Sequence, residues 1–186
     1  MGVRCDSVRA VTGAEYAGLV AQYIVRNYSA RGVDVYREVF LGKTIIGKNR
    51  RVDVLIVHAA SRVAMALECK YQDSTGTADE KLPYALEDLR SIGIPVSITY
   101  AGRGFSPGIL HLLEASPIAA LCLPGEDLAP SIATRELDVA LALAFKWWDV
   151  IVRNKTPITL ADTTRAPSDA ADADDDAQLK LGAVDE

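Results

Sequence analysis

R-R-V-D-V-L-I-V (50–57) and A-L-E-C-K-Y-Q (66–72) decide how this chain folds. Within them R-V-D-V-L-I-V (51–57) is rich in β-branched and aliphatic residues and reads as a strand, and V-A-M-A-L-E-C-K-Y (63–71) reads as the next. Only H-A-A-S-R (58–62) separates them, so they pair as a hairpin or tight meander. Successive strand side chains alternate between faces, which puts Glu68 and Lys70 on one surface and Met65, Leu67 and Cys69 on the other. Asp53 interrupts the apolar residues of the neighbouring strand. Charges in strands that read as core are costly unless they are paired or hold a ligand. Glu68 and Lys70 alone have a plain reading as a solvent-face ion pair. The context points further, because a second carboxylate lies one short turn away, a basic segment precedes it, and a glutamate sits on the preceding helix. Two carboxylates and the Cys69 backbone carbonyl offer hard oxygens to Mg²⁺, with positions left for water and a phosphate oxygen. Lys70 beside such an ion could orient the attacking water and stabilise phosphate charge.

Working outward, G-A-E-Y-A-G-L-V-A-Q-Y-I-V-R-N-Y-S-A (13–30) places Tyr16, Leu19, Val20, Tyr23 and Ile24 at helical spacing. Thr12 is available as N-cap, with Glu15 as its capping-box partner. V-D-V-Y-R-E-V-F-L (33–41) alternates as a strand, and G-K-T-I-I-G-K-N-R (42–50) is a positively charged turn. After the third strand, residues 78–92 read as a helix capped by Thr77, with Pro83 expected near its first turn, where a missing N–H costs little. G-I-P-V-S-I-T-Y (93–100) is then a strand reached through a helical crossover, hence parallel to an earlier one. A short helix over 105–116, a strand in I-A-A-L-C-L-P (118–124) and a long helix from Thr134 to Val152 complete the order. The apolar face of that last helix is expected to include Leu137, Leu141, Ala144, Phe145, Trp148 and Val152. The fold class is α/β: a mixed central sheet flanked by helices, in the order α-β-β-β-α-β, with a C-terminal helical extension.

The aspartate strand followed by A-L-E-C-K-Y-Q resembles the core of the PD-(D/E)XK, or restriction-endonuclease-like, nuclease superfamily over roughly residues 12–100. By that resemblance Asp53 is the motif's aspartate, Glu68 its acidic metal ligand and Lys70 its lysine. Glu15 matches an additional acid, and a further metal ligand, on the first helix. Gln72, two beyond Lys70 and so on the same strand face, matches a glutamine found just past the lysine. The nominal proline before the aspartate is Val52 here, which removes no ligand. The implied activity is Mg²⁺-dependent DNA hydrolysis, Mn²⁺ substituting, probed best as an endonuclease that leaves 5'-phosphate and 3'-hydroxyl ends. A non-catalytic DNA-binding or assembly subunit with the same fold is the alternative, and an unrelated α/β domain in which Glu68 and Lys70 merely pair is a third.

Charge divides near residue 160. The 186 residues carry a net charge of -5, but the stretch 161–186 holds -6 and residues 1–160 hold +1. Residues 1–160 therefore read as one domain and 161–186 as an acidic tail with too few apolar side chains to order itself. Within the domain Lys43, Lys48, Arg50 and Arg51 lie within nine residues and are the expected phosphate contacts, joined by Lys81 on the following helix. No hydrophobic run reaches the roughly 18 uncharged residues of a membrane span. Three scattered cysteines suggest neither a zinc site nor a disulfide framework, and a cytoplasmic setting is expected. No G-x-x-x-x-G-K-S/T loop or G-x-S-x-G elbow is present, which removes an ATP motor and a serine hydrolase of that type. G-R-G (102–104) is a weak phosphate-turn candidate, and His58 and His111 lack ligand-spaced partners. Of the adjacent Trp147 and Trp148, one is expected in the core and the other at an interface, with a homodimer cutting two strands as the implied assembly and an additional protein partner in a larger DNA-processing system left open.

Overall fold

The computed structural model describes residues 12–74 and 78–159. Helix α1 (Gly13–Tyr28) starts where Glu15 N–H donates to Thr12 Oγ1 and Thr12 N–H donates to Glu15 Oε2, the reciprocal cap expected from the sequence. Strands β1 (Val33–Lys43), β2 (Asn49–His58) and β3 (Val63–Tyr71) follow as an antiparallel meander. Helix α2 (Ala78–Arg90) then crosses over to β4 (Val96–Ala101), which lies parallel to β3. Helix α3 (Pro107–Glu114) leads to the short β5 (Ala119–Leu121), parallel to β4. Helices α4 (Arg135–Phe145) and α5 (Trp148–Ile151) follow. Sheet order is β1-β2-β3-β4-β5, a mixed sheet with helices on both faces.

The alternation read from the sequence sets the two cores. Val54, Ile56, Met65, Leu67 and Cys69 project to one face and are covered by Tyr16, Val20, Tyr23 and Ile24 of α1 and by Leu137 and Leu141 of α4. Ile98 and Tyr100 of β4 project to the other face and meet Leu82, Leu86 and Leu89 of α2 and Leu113 of α3. Polar groups tie α1 to the C-terminal elements: Tyr16 Oη donates to the Cys122 carbonyl at 2.7 Å, and Tyr23 and Tyr28 both donate to Asp138 Oδ1 at 2.6 and 2.7 Å. The hydroxyls of these three buried tyrosines are thereby satisfied instead of left as desolvated donors.

Three local expectations change. The long final helix is broken at Lys146, whose φ of 64° is left-handed, so α4 stops at Phe145. The break turns Trp147 inward, where its ring stacks on Phe145 at 4.8 Å and Tyr28 at 5.3 Å with the Arg31 guanidinium 5.1 Å from its centroid. Trp148 and Val152, expected on the apolar face, are exposed. Pro83 is the sixth residue of α2, past the first turn, and therefore removes an internal helix hydrogen bond. β4 begins at Val96 and not Gly93, because Pro95 has no N–H for the ladder, though its carbonyl still accepts from Ala66 N–H at 3.0 Å. Thr77, the expected cap, lies outside the described residues.

G-R-G at 102–104 has a structural task. Gln72 N–H donates to the Ala101 carbonyl at 3.1 Å, Gly104 N–H to the Gln72 carbonyl at 2.7 Å, and Gln72 Nε2 to the Gly104 carbonyl at 2.7 Å. This zips the segment after β3 to the segment after β4 so closely that a Cβ on Gly102 would sit 2.1 Å from the Gln72 carbonyl oxygen, at a φ of +109°. Gly102→Ala should therefore cost about 1–3 kcal/mol in urea unfolding. Gly108→Ala, in α3 with open space around it, should be neutral or stabilising by up to about 1 kcal/mol.

The chain divides into two units, Met1–Val152 and Arg153–Glu186. All the elements above belong to the first. Of the second, residues 153–159 are described, as a turn followed by irregular backbone, and the acidic tail expected to be disordered lies outside the described residues.

Candidate active site

The β2–β3 register pairs Val54 with Leu67, so one step further along the ladder sets Asp53 across from Glu68. Asp53 Oδ2 accepts the Cys69 backbone N–H at 2.7 Å, which ties the two strands together by a side chain. Lys70 Nζ donates to Glu68 Oε1 at 2.6 Å, and both side chains are about three-quarters buried, 27% and 23% exposed. Asp53, Cys69, Glu68 and Lys70 thus converge, and the common face of Glu68 and Lys70 is the one that carries Ile98 and Tyr100 on β4.

Burial governs the electrostatics. Desolvation pushes the Asp53 carboxyl up from its ordinary range, against the Cys69 hydrogen bond and the Lys70 charge, which pull it down, and Glu38 adds to the rise. Desolvation likewise raises Glu68, opposed by Lys70 and reinforced by Asp53. Two carboxylates that repel each other in a partly dry place, with one cation on one of their four oxygens, form a hard donor set suited to one divalent ion that keeps several waters. The donor set is sparse: among the described residues, no group of three or more His, Cys, Asp or Glu side chains is arranged to hold a metal. The fit to Mg²⁺ thus rests on Asp53 and Glu68, with the Cys69 carbonyl in the backbone between Glu68 and Lys70.

The other expected site residues are distributed differently. Glu15 is exposed and its carboxylate closes the cap of α1. Gln72 is one residue past the end of β3, buried, with its amide used in the link to Gly104. Arg50 is corrected most firmly. Its side chain is 9% exposed and grips Asp88 of α2 through Nε to Oδ2 and Nη2 to Oδ1, both 2.9 Å, which removes it from the phosphate-facing cations. Lys43, Lys48, Arg51 and Lys81 stay exposed; Lys43 Nζ meets Asn49 Oδ1 at 2.6 Å and Arg51 Nη1 meets Glu38 Oε2 at 3.4 Å. His58 bonds to Ser61 at 2.6 Å and packs edge-on against Phe145, and His111 is exposed beside Glu114, in line with their undistinguished sequence context.

Sequence reasoning missed Glu38. The pairs Arg37 with Val54 and Val39 with Val52 bracket it, so it stands across β1–β2 from Asp53, and its φ of 55° is left-handed. V-Y-R-E-V reads as ordinary alternation, and no local signal separates Glu38 from a solvent-face acid; only the register brings its charge to Asp53.

A family model for the PD-(D/E)XK nuclease superfamily domain matches residues 12–148. The chain belongs to the PD-(D/E)XK nuclease superfamily. The match runs well past the 12–100 expected and takes in α3, β5 and α4, so these elements are part of the superfamily domain and not an unrelated addition. Among solved structures, a repair endonuclease from Pyrococcus abyssi is similar at 22% identity, with 55% of this chain and 44% of that chain covered and a TM-score of 0.33. A protein of unknown function, AF1548, is similar at 17% identity, covering 68% of this chain and 66% of that one, with a TM-score of 0.40. This chain spans under half the length of the first and about two thirds of the second. No curated protein matches it.

Proposed function

We propose that this PD-(D/E)XK domain is a Mg²⁺-dependent deoxyribonuclease, acting as an endonuclease that leaves 5'-phosphate and 3'-hydroxyl ends. The observation that carries the reading is the convergence of Asp53, Glu68 and Lys70 on adjacent strands of a superfamily domain. Asp53 and Glu68 would hold the cation, with Mn²⁺ as a substitute, and that cation supplies positive charge to a phosphate oxygen and makes bound water more acidic. Lys70, kept in place by Glu68, presents its remaining donors to the attacking water and to charge that develops on the phosphate. Lys43, Lys48, Arg51 and Lys81 meet the DNA backbone without reading its sequence. The test is incubation of supercoiled, linear and branched DNA with purified protein in Mg²⁺, Mn²⁺ or EDTA. Cutting that needs the ion supports the reading; tight binding with no cutting in any ion would favour the non-catalytic subunit.

A homodimer fits the exposed Trp148, which with Ile151 and Val152 leaves apolar surface uncovered on and just after α5. Trp148→Ala should then shift the sedimentation coefficient from dimer to monomer, and a wild type that stays monomeric at high concentration ends this proposal. No described helix is long and apolar enough to cross a membrane, and a cytoplasmic setting remains part of the proposal.

A further inference from the structure

The turn between β1 and β2 carries Ile45 and Ile46 side by side, 50% and 60% exposed, in neither core. Exposed apolar side chains placed together at a hairpin tip mark an interaction site or an aggregation hazard, and here the tip is closed by its own hydrogen bonds. Thr44 N–H donates to the Lys48 carbonyl at 2.8 Å, Gly47 N–H to the Thr44 carbonyl at 2.8 Å, and Lys48 N–H to Thr44 Oγ1 at 3.0 Å. Gly47, at φ +80°, makes the left-handed step this closure needs. From outside the hairpin, Asp88 of α2 accepts Ile45 N–H at 2.8 Å on the same carboxylate that Arg50 grips. The isoleucines are therefore displayed on a backbone closed by these hydrogen bonds, flanked along the chain by the exposed Lys43 and Lys48.

We infer that this tip is an apolar wedge for DNA carrying an unstacked base step, such as a bulge, mismatch or branch. The inference rests on the nuclease reading and names its substrate class. Cations flanking exposed aliphatic side chains match phosphates flanking an open stack, where inserted Ile or Leu holds a kink. A second copy of the same tip would bring like charges together. The wedge is also continuous with the candidate site, since β2 starts at Asn49, where the turn ends, and reaches Asp53 in four residues, roughly 13 Å at 3.3 Å per residue. A wedge at the far end of that strand would set where a distorted strand meets Asp53 and Glu68.

The experiment is binding in EDTA, where no bond is cut, to a plain duplex and to the same duplex with a two-base bulge carrying 2-aminopurine, using wild type and the Ile45→Ser/Ile46→Ser variant. Both substituted side chains are exposed, so the variant should keep the wild-type melting temperature. Wild type should prefer the bulged DNA about tenfold or more and raise the 2-aminopurine fluorescence, and the variant should lose both while plain-duplex affinity changes less than about threefold. Lys43→Gln/Lys48→Gln should weaken both DNAs alike and flatten the salt dependence by up to about two in slope. Equal binding of the two DNAs by wild type, or an unchanged preference in the variant, overturns the wedge and leaves the nuclease reading intact. Wild type that binds neither DNA overturns the nuclease reading itself. Loss in the variant of a wild-type dimer, or of binding to phosphatidylserine vesicles, would assign the tip to a second copy or a lipid surface and equally overturn the inference.

Discussion

Asp53→Asn and Lys70→Met will each lower Mg²⁺-dependent DNA cleavage by roughly 10²–10³-fold or more, with DNA binding in EDTA within about threefold of wild type. The separation of the two effects follows from the site. Asp53 and Glu68 lie together where burial makes their ionised forms costly, and a cation would relieve that cost only if both carboxylates are present. Asn at 53 keeps a side-chain oxygen for the Cys69 amide, so the β2–β3 tie and the fold persist while a negative ligand is lost. Met at 70 preserves length and packing but withdraws the ammonium from Glu68 and from the phosphate. Binding, on the proposed function, draws instead on exposed cations elsewhere, and removing a carboxylate would take away repulsion from DNA. Cleavage on a plasmid and anisotropy on a labelled duplex, run in parallel on each variant, check both halves. Full cleavage by either variant would remove Asp53 or Lys70 from the chemistry.

Asp88→Ala will be the most damaging of the single substitutions outside the active site, with a loss of about 3–5 kcal/mol and a fall in melting temperature on the order of 10 °C. It would leave the Arg50 guanidinium buried without its carboxylate and release the Ile45 amide, so both the sheet end and the hairpin tip lose their anchor. Hydrogen bonding from Arg50, and then from Ile45, holds the Asp88 carboxyl below its ordinary range despite burial, so it stays ionised beside Arg50. A depressed carboxyl contributes stability that is present above its unfolded value, near pH 4, and lost as pH falls through the folded one. Wild type should accordingly lose stability on acidification below about pH 4, and Asp88→Ala should lack that component. Paired replacement, Arg50→Met with Asp88→Leu, should recover most of the loss, because two apolar side chains need no partner. Chemical denaturation of the three proteins between pH 3 and 7 separates these outcomes.

Much of the fold is legible because it depends on neighbours along the chain. The alternation of V-A-M-A-L-E-C-K-Y sorts Met65, Leu67 and Cys69 from Glu68 and Lys70 whatever packs on either side. The capping box at Thr12 and Glu15 and the helical spacing of Tyr16, Val20, Tyr23 and Ile24 are likewise local. The same local logic carried the last helix too far. Nothing in K-W-W-D forbids a helix, and only the pocket between Tyr28 and Phe145 makes it favourable for Lys146 to turn left-handed and bury Trp147.

By itself, then, the sequence determined the strand hairpin, the shared face of Glu68 and Lys70, the crossover that makes β4 parallel, and the acidic character of the stretch after residue 160. Tertiary structure alone decided which of four clustered cations stay available, since the alternation that separates Arg50 from Arg51 does not say that Arg50 finds Asp88, 38 positions away. It also decided that Glu38 faces Asp53, that Gln72 serves a backbone link, and that Ile45 is braced by α2. Periodicity and capping are energies between residues a few positions apart. The fate of a charge is settled by what the folded chain brings within about 4 Å of it, and that partner can be anywhere in the sequence.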